Sequence, residues 1–366
     1  MKGDRARPPL AILTSLRFFI AADVVVYHEV APHLENEFLR GLAAAGYQAV
    51  TFFFVLSGFI LTYVYANDSE KGNLTGSVKE FWRARIARIL PAYLLGLAIA
   101  FPHFLYSAFV SHIVTIHNFV VGLVLVPIAQ QAWWPPAAMA WNAPAWSLSV
   151  EFLFYLCFPA LMFGAACLPR NTFVILAYAF VVAMVFIRFV ISSPDSTFDS
   201  FAWNFEKFFP LFHLAQFIFG MALGRLYFFG PTLPSRIHAL MLVAGIIAVL
   251  VILGARVWLP PWVQTDAILV LVFGLIIFGA AGAQEAAGVL TLPALTLLGE
   301  ASYSLYILHM PLGWWWAWLT RGMVLPAIPG FAAYFVSAVL ISILSYRYVE
   351  NPLRRWILGH RAHRAA

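Results

Sequence analysis

The sequence predicts an all-α fold: a polytopic membrane helix bundle of about ten transmembrane helices, forming one integral-membrane domain over residues 1–366. Composition and patterning lead there. Of the 366 residues 63% are hydrophobic and only 10% are charged, against roughly 25% charged residues in a soluble domain. The apolar residues gather into windows of roughly 18 to 22, the length that crosses a hydrocarbon core of about 30 Å. Backbone polar groups in lipid must be satisfied within the segment, so such windows are helices. Stretches such as 240–254 lack the period-two alternation of a barrel strand.

The first span, 11–30, runs past any plausible cleavage site and carries Arg17, so it reads as a retained helix and not a signal peptide. Spans follow near 46–66 and 90–110. The stretch 111–128 is apolar but short, and holds His112 and His117. The whole of 111–146 is free of charge and rich in tryptophan and proline (Trp133, Trp134, Pro135, Pro136, Trp141), which suits an interfacial excursion or a lid over a cavity. Further spans are predicted near 147–167, 172–192, 209–229, 237–255, 266–283, 300–320 and 328–348. Cys157 and Cys167 fall on one of these helices, roughly 15 Å apart along the axis and too far for a disulfide.

The net charge of +6 reads as a topology signal and not as a nucleic-acid footprint. With ten spans, sixteen basic residues share one side, among them Lys2, Arg5, Arg7, Lys71, Lys79, Arg83, Arg85, Arg88, Arg354, Arg355, Arg361 and Arg364, against four (Arg40, Lys207, Arg256, Arg321) on the other. The positive-inside rule then places both termini in the cytoplasm of a cell inner (plasma) membrane. An eleventh span would export the basic tail, 349–366, which is expected to lie on the inner leaflet. The sequon Asn73-Leu74-Thr75 falls on the inner side and reads as chance.

Ionisable residues within spans are costly and therefore mark candidate chemistry. Arg17 and His28 are eleven residues apart, within about 20° of one helix face and roughly 16 Å apart along the axis. A fixed cation and a titratable base thus look inward together, histidine being the usual general base near neutral pH. The structural alternative pairs Arg17 with Asp23 or with another helix and has His28 cap a packed site. Arg85 and Arg88, spaced i, i+3, form a seat for a phosphorylated cytoplasmic ligand, or else a lipid-headgroup anchor. Glu151, in Trp146-Ser147-Leu148-Ser149-Val150-Glu151, stands near the outer end of the fourth span. It would orient His28, pair with Arg17, or simply favour the helix dipole. In the run from Glu300 to His309, Tyr306 and His309 lie deeper on one face, while Ser302 and Ser304 bond a ligand or hold helices together. The sequence holds no GxSxG elbow, no HExxH helix and no Cys/His metal cluster, so no metal is expected.

Taken together these segments resemble acyltransferase family 3, the membrane-bound O-acyltransferases of bacterial glycans and some macrolides. Arg17 to His28 fits the family's R-x10-H pattern. Phe52-Phe53-Phe54-Val55-Leu56-Ser57-Gly58-Phe59 resembles its second-helix signature, and Arg85-Ile86-Ala87-Arg88 its RxxR, followed by Ile89-Leu90-Pro91. The 146–151 and 302–309 strings and Tyr348-Val349-Glu350-Asn351-Pro352 also fit, in the family's order. The resemblance implies an acyl-CoA donor, usually acetyl-CoA, reached from the cytoplasm. It also implies a hydroxyl acceptor, usually a carbohydrate such as a polysaccharide or lipid-linked glycan. It carries catalytic roles onto His28, Arg17 and Glu151, and donor-binding roles onto Arg85, Arg88, Ser302, Tyr306 and His309. Long members add an extracytoplasmic SGNH-type domain, which this chain is expected to lack. The competing expectation is a transporter or flippase of a glycan or small solute, since intramembrane charge also marks transport paths, although no matched pair of broken helices is found in the two halves.

Overall fold

A computed structural model describes residues 7–31, 34–66, 74–192, 200–255, 258–284 and 288–359. Lys2, Arg5, Lys71, Asn73, Arg256, Arg361 and Arg364, used above for topology or as a sequon, lie outside the described residues. The architecture is helical throughout, with no strand among the described residues. The helices in chain order are α1 (Ala11–Glu29), α2 (Glu37–Ala44), α3 (Ala49–Tyr65), α4 (Val78–Phe109), α5 (Ile116–Leu125), α6 (Trp146–Ala166) and α7 (Arg170–Ile191). They continue with α8 (Phe201–Phe208), α9 (Leu211–Phe229), α10 (Ser235–Gly254), α11 (Asp266–Gly282), α12 (Pro293–Thr320), α13 (Ala327–Ser345) and α14 (Asn351–Leu358).

A helix occupies each of the ten predicted windows, but not all ten are candidate spans. Seven helical stretches are long and apolar enough to cross a membrane: 11–29, 78–109, 143–166, 170–191, 201–229, 235–254 and 327–358. Helices α3 and α11 have 17 residues each, about 26 Å at 1.5 Å per residue. Helix α12 has 28, but Glu300, Ser302, Ser304 and His309 dilute its apolar character.

One boundary differs from expectation, and two further segments shape the site. Helix α4 begins twelve residues before the predicted span. Ser77 and Glu80 form a capping box there, with Ser77 Oγ accepting from the Glu80 amide at 3.2 Å and the Glu80 carboxylate accepting from the Ser77 amide at 2.9 Å. Arg83, Arg85 and Arg88 are therefore helical. In the 111–146 excursion, α5 has ten residues, about 15 Å and too short to span. The 3-10 turns that follow tuck into the bundle. Trp141 donates to the Leu97 carbonyl at 3.0 Å and Gln131 to the Ala145 carbonyl at 2.7 Å, while Ala145, Trp146 and Ser147 are buried. Helix α6 thus starts inside the protein, which sets Glu151 deeper than a helix beginning at the surface would. Finally, the described part of the basic tail is helical, with no buried residue in α14. A π-turn over Tyr346–Glu350 leads into α14, and Arg83 Nε donates to the Ile357 carbonyl at 2.7 Å, docking α14 on α4.

Two kinds of contact hold the long helices. Gly220, in the Gly220-Met221-Ala222-Leu223-Gly224 run of α9, lies so close to the Val55 carbonyl of α3 that a Cβ there would collide with it. Gly299 of α12 meets the Thr14 carbonyl of α1 in the same way. Small residues permit this backbone approach in helix pairs that gain little from hydrophobic burial. The second kind uses proline. Pro159 and Pro311 lie within α6 and α12, and each lacks the N–H that would bond four residues back. The carbonyls so released belong to Tyr155 and Ile307. Trp82 Nε1 donates to the first at 2.9 Å and Asn142 Nδ2 to the second at 2.9 Å.

Basic side chains collect at one end of the bundle and take the free carbonyls of helix ends. Arg7 bonds the Ala66 carbonyl at the end of α3 and stacks on Phe228 of α9. Arg170 bonds the Phe229 carbonyl, and Arg225 bonds those of Ala165 and Leu168 below α6. Both cysteines are free.

Replacing Gly220 by alanine should lower stability by about 1–3 kcal/mol, because the added methyl overpacks a backbone contact. Gly164→Ala, where a Cβ meets nothing within 4 Å, should leave the unfolding midpoint unchanged or raise it slightly. Equal midpoints for the two variants in detergent would refute the packing account.

Candidate active site

A cavity of about 180 Å³ lies within the bundle. Its walls come from four helices that are distant in sequence, together with α1. Arg17 enters from α1, Phe53 and Ser57 from α3, Arg85 and Arg88 from α4, Ser147, Glu151 and Tyr155 from α6, and Ser302, Tyr303 and Tyr306 from α12.

The guanidinium groups are not equivalent. Arg88 is ion-paired with Glu350, which is fully buried. The other Glu350 oxygen accepts from Ser304 Oγ at 3.2 Å, and Ser304 in turn meets Ser345 Oγ at 3.1 Å. Arg88 is therefore held by the π-turn after α13, an irregularity of the kind found at functional sites. Arg85 donates to the Tyr65 hydroxyl at 3.1 Å, and its Nε is buried with no acceptor. Arg17 makes no hydrogen bond or ion pair among the described residues, and lines the cavity. The alternative pairing of Arg17 with Asp23 is absent.

Glu151 accepts from Tyr155 Oη at 2.5 Å and from Ser57 Oγ at 3.5 Å. It touches neither His28 nor Arg17 by hydrogen bond or ion pair, so neither expected contact forms. Tyr155, four residues on along the same helix face, takes its carboxylate first. Ser302 lines the cavity but donates to the Gly299 carbonyl at 2.7 Å. Tyr303 donates to the Ile89 carbonyl at 2.9 Å.

Tyr306 closes one end. Its hydroxyl meets Ser147 Oγ at 2.8 Å and donates to the Pro144 carbonyl at 3.1 Å, while its ring packs edge-on against Phe53 with centroids 6.0 Å apart. His28 and His309 lie beyond this contact and do not line the cavity. They touch one another, His309 Nε2 standing 3.1 Å from His28 Nδ1. The residue against His28 is thus His309, not Glu151. Helix α1 carries Arg17 and His28 without interruption, so the expected axial separation applies. The cavity reaches the first of them and stops short of the second.

Tyr155, Tyr303 and Glu350 were not assigned roles from sequence. Tyr155 was findable, since i and i+4 on a helix are neighbours. Glu350 stands 262 positions from Arg88, a separation no local pattern reveals.

Three guanidiniums and one carboxylate around a small cavity suit an anionic ligand. A family model described as an acyltransferase domain matches residues 11–347. The chain belongs to acyltransferase family 3. This acyltransferase is 28% identical to the acyltransferase MdmB of Streptomyces mycarofaciens over 384 aligned positions, covering 96% of this chain and 93% of that protein. It is 28% identical to the exopolysaccharide production protein ExoZ of Rhizobium meliloti, covering 86% and 90%. It is 23% identical to the peptidoglycan O-acetyltransferase OatA of Listeria monocytogenes, covering 89% of this chain but 53% of that protein. No solved structure matches. With its several apolar helices, the chain is a multi-pass membrane acyltransferase.

Removing one partner of a buried ion pair strands the other charge. Glu350→Ala in the acyltransferase should therefore cost about 3–5 kcal/mol of stability, and the double variant Arg88→Met/Glu350→Met should recover most of it. Unfolding in detergent checks this; a double variant no more stable than Glu350→Ala would mean the pair does not hold the C-terminal turn.

Proposed function

We propose that this acyltransferase is a membrane O-acyltransferase that moves an acyl group, most simply acetyl, from cytoplasmic acyl-CoA to a hydroxyl of a carbohydrate acceptor. The proposal includes ten spans, with both termini in the cytoplasm of the inner membrane. The carbohydrate class is carried over from relatives named for peptidoglycan and exopolysaccharide. The observation that carries the reading is the cavity itself, which gathers the free Arg17, the half-satisfied Arg85 and the Tyr155–Glu151 pair along the helix that ends in His28. The clustering of Arg7, Arg83, Arg170 and Arg225 at one end of the bundle supports the orientation.

In this reading Arg85 meets the CoA phosphates, and Arg88, its charge offset by Glu350, adds less. A cavity of about 180 Å³ is below the roughly 300 Å³ at which pockets take drug-sized ligands, so it takes the thioester end of the donor and not the whole cofactor. Ser302 and Tyr306 line the donor's path, and the Phe53–Tyr306 contact opens for the acyl group to reach His28. His28 then accepts the proton of the acceptor hydroxyl. The hydroxyl oxygen attacks the thioester carbonyl, while Arg17, roughly 16 Å back along α1, holds the pantetheine arm in the cavity. The C–S bond breaks, and the CoA thiolate takes its proton from His28. Tyr155 and Ser57 hold Glu151 in the cavity, where it balances the excess of positive charge around the donor.

Purified protein in detergent, given labelled acetyl-CoA and an oligosaccharide, should release CoA and label the acceptor. His28→Ala should abolish transfer while the protein remains folded and membrane-inserted. Arg85→Ala should raise KM for the donor by about tenfold or more, as expected for a lost charge-assisted contact. Transfer retained in His28→Ala removes that residue from the chemistry, and absence of any CoA binding by the wild type favours a transporter.

A further inference from the structure

We propose that His309 is a positioning residue, which accepts a hydrogen bond from His28 Nδ1 and so leaves His28 Nε2 as the atom that takes the acceptor's proton. The inference rests on the acyl-transfer reading above and adds to it the identity of the reacting nitrogen and the group that selects it.

The protons on the pair follow from what surrounds it. His309 Nδ1 lies 2.8 Å from the Tyr306 carbonyl. A carbonyl only accepts, so this nitrogen carries the hydrogen, and in the neutral ring Nε2 is then a bare acceptor. His28 Nδ1 faces two acceptors, the Val24 carbonyl at 3.0 Å and His309 Nε2 at 3.1 Å. It too must be the N–H, and the lone pair of the neutral His28 ring falls on Nε2. The opposite assignment would aim the His309 Nδ1 lone pair at the Tyr306 carbonyl and the His28 Nδ1 lone pair at the Val24 carbonyl, two repulsive contacts where neither carbonyl can adjust. Among the described residues nothing hydrogen-bonds His28 Nε2.

His309 is also held more firmly than a packing residue requires. It is fully buried, its ring is fixed at Nδ1, and its own carbonyl accepts from Tyr334 Oη at 2.8 Å. Its place relative to His28 is that of the buried acceptor in a catalytic triad, which orients the imidazole and fixes the tautomer. Here the acceptor is a neutral ring instead of a carboxylate, so no second ionised group enters the bilayer interior. During transfer the acceptor proton moves to His28 Nε2, the Nδ1–H of the resulting imidazolium stays directed at His309, and the Nε2 proton goes on to the departing CoA thiolate. His309 keeps its own proton throughout.

The test is a pair of variants read for both affinity and turnover. His309→Phe keeps a ring of similar size and removes the acceptor. His309→Gln offers an amide oxygen near the former Nε2. We expect the phenylalanine variant to bind acetyl-CoA within about threefold of wild type while kcat falls about 100-fold, a loss typical of removing a group that fixes a catalytic imidazole. The glutamine variant should regain at least tenfold of that loss. A phenylalanine variant with kcat within threefold of wild type overturns the proposal, as does a glutamine variant no better than phenylalanine when both bind the donor normally. Nitrogen-15 NMR of wild-type protein labelled at histidine reads the tautomers without any substitution: Nδ1–H on both rings supports the assignment and Nε2–H on His28 overturns it. Failure of the parent reading shows separately, as wild-type protein that neither binds acetyl-CoA nor transfers acyl.

Discussion

A guanidinium carried into a lipid-embedded bundle must find its acceptors inside the protein, because neither water nor hydrocarbon supplies them there. That requirement organises this structure. Arg225 and Arg170 take helix-end carbonyls, Arg88 takes Glu350, and Arg188 takes Asp266 at 2.9 Å, itself held by Thr51 at 2.9 Å. Against that background the two arginines left short of partners stand out by their chemistry. Arg17 has no acceptor among the described residues, and Arg85 has one hydroxyl. Both border the same cavity. An arrangement that gives most other guanidiniums a carbonyl or carboxylate and leaves these two open on a cavity suits an anionic ligand.

The second organising feature is the partition between that cavity and the two histidines. Helices α1 and α12 run alongside one another from the Gly299–Thr14 contact to the His309–His28 contact. Between those points α12 presents Ser302, Tyr303 and Tyr306 to the cavity. The Tyr306 hydroxyl bonds to Ser147 and the Pro144 carbonyl, both at the buried start of α6. The excursion before α6 thereby serves the interior: it supplies the surface against which Tyr306 closes.

Much of this was readable from the residues. Apolar windows located ten of the fourteen helices, and the eleven-residue spacing of Arg17 and His28 placed both on one helix face, because helical geometry is local and periodic. What was not readable depended on long separations or on broken periodicity. The Arg88–Glu350 pair and the His28–His309 contact join segments more than 250 positions apart, and one sequence carries no sign of which far residue a side chain meets. The early start of α4 was signalled by Ser77 and Glu80 but obscured by the charges that follow, which resemble a loop in a search for apolar runs. The inward path of 131–145 has no period at all: its turns are fixed by single side-chain bonds from Gln131, Trp141 and Asn142. The depth of Glu151 within the protein depends on the same stretch, which delivers the chain to a buried start of α6.

The prolines of α6 and α12 have a consequence for how this scaffold can change. Each opens a socket in the main chain, at Tyr155 and at Ile307, and a donor from another helix plugs into it. Because the socket is a peptide oxygen, the side chains at 155 and 307 play no part in the fastening. Residues that shape the ligand's surroundings can therefore be exchanged while α4, α6, α12 and the inward excursion stay joined in the same register. Mechanical integrity and chemical recognition are written in different atoms, which leaves room for one bundle to host ligands of differing size and polarity.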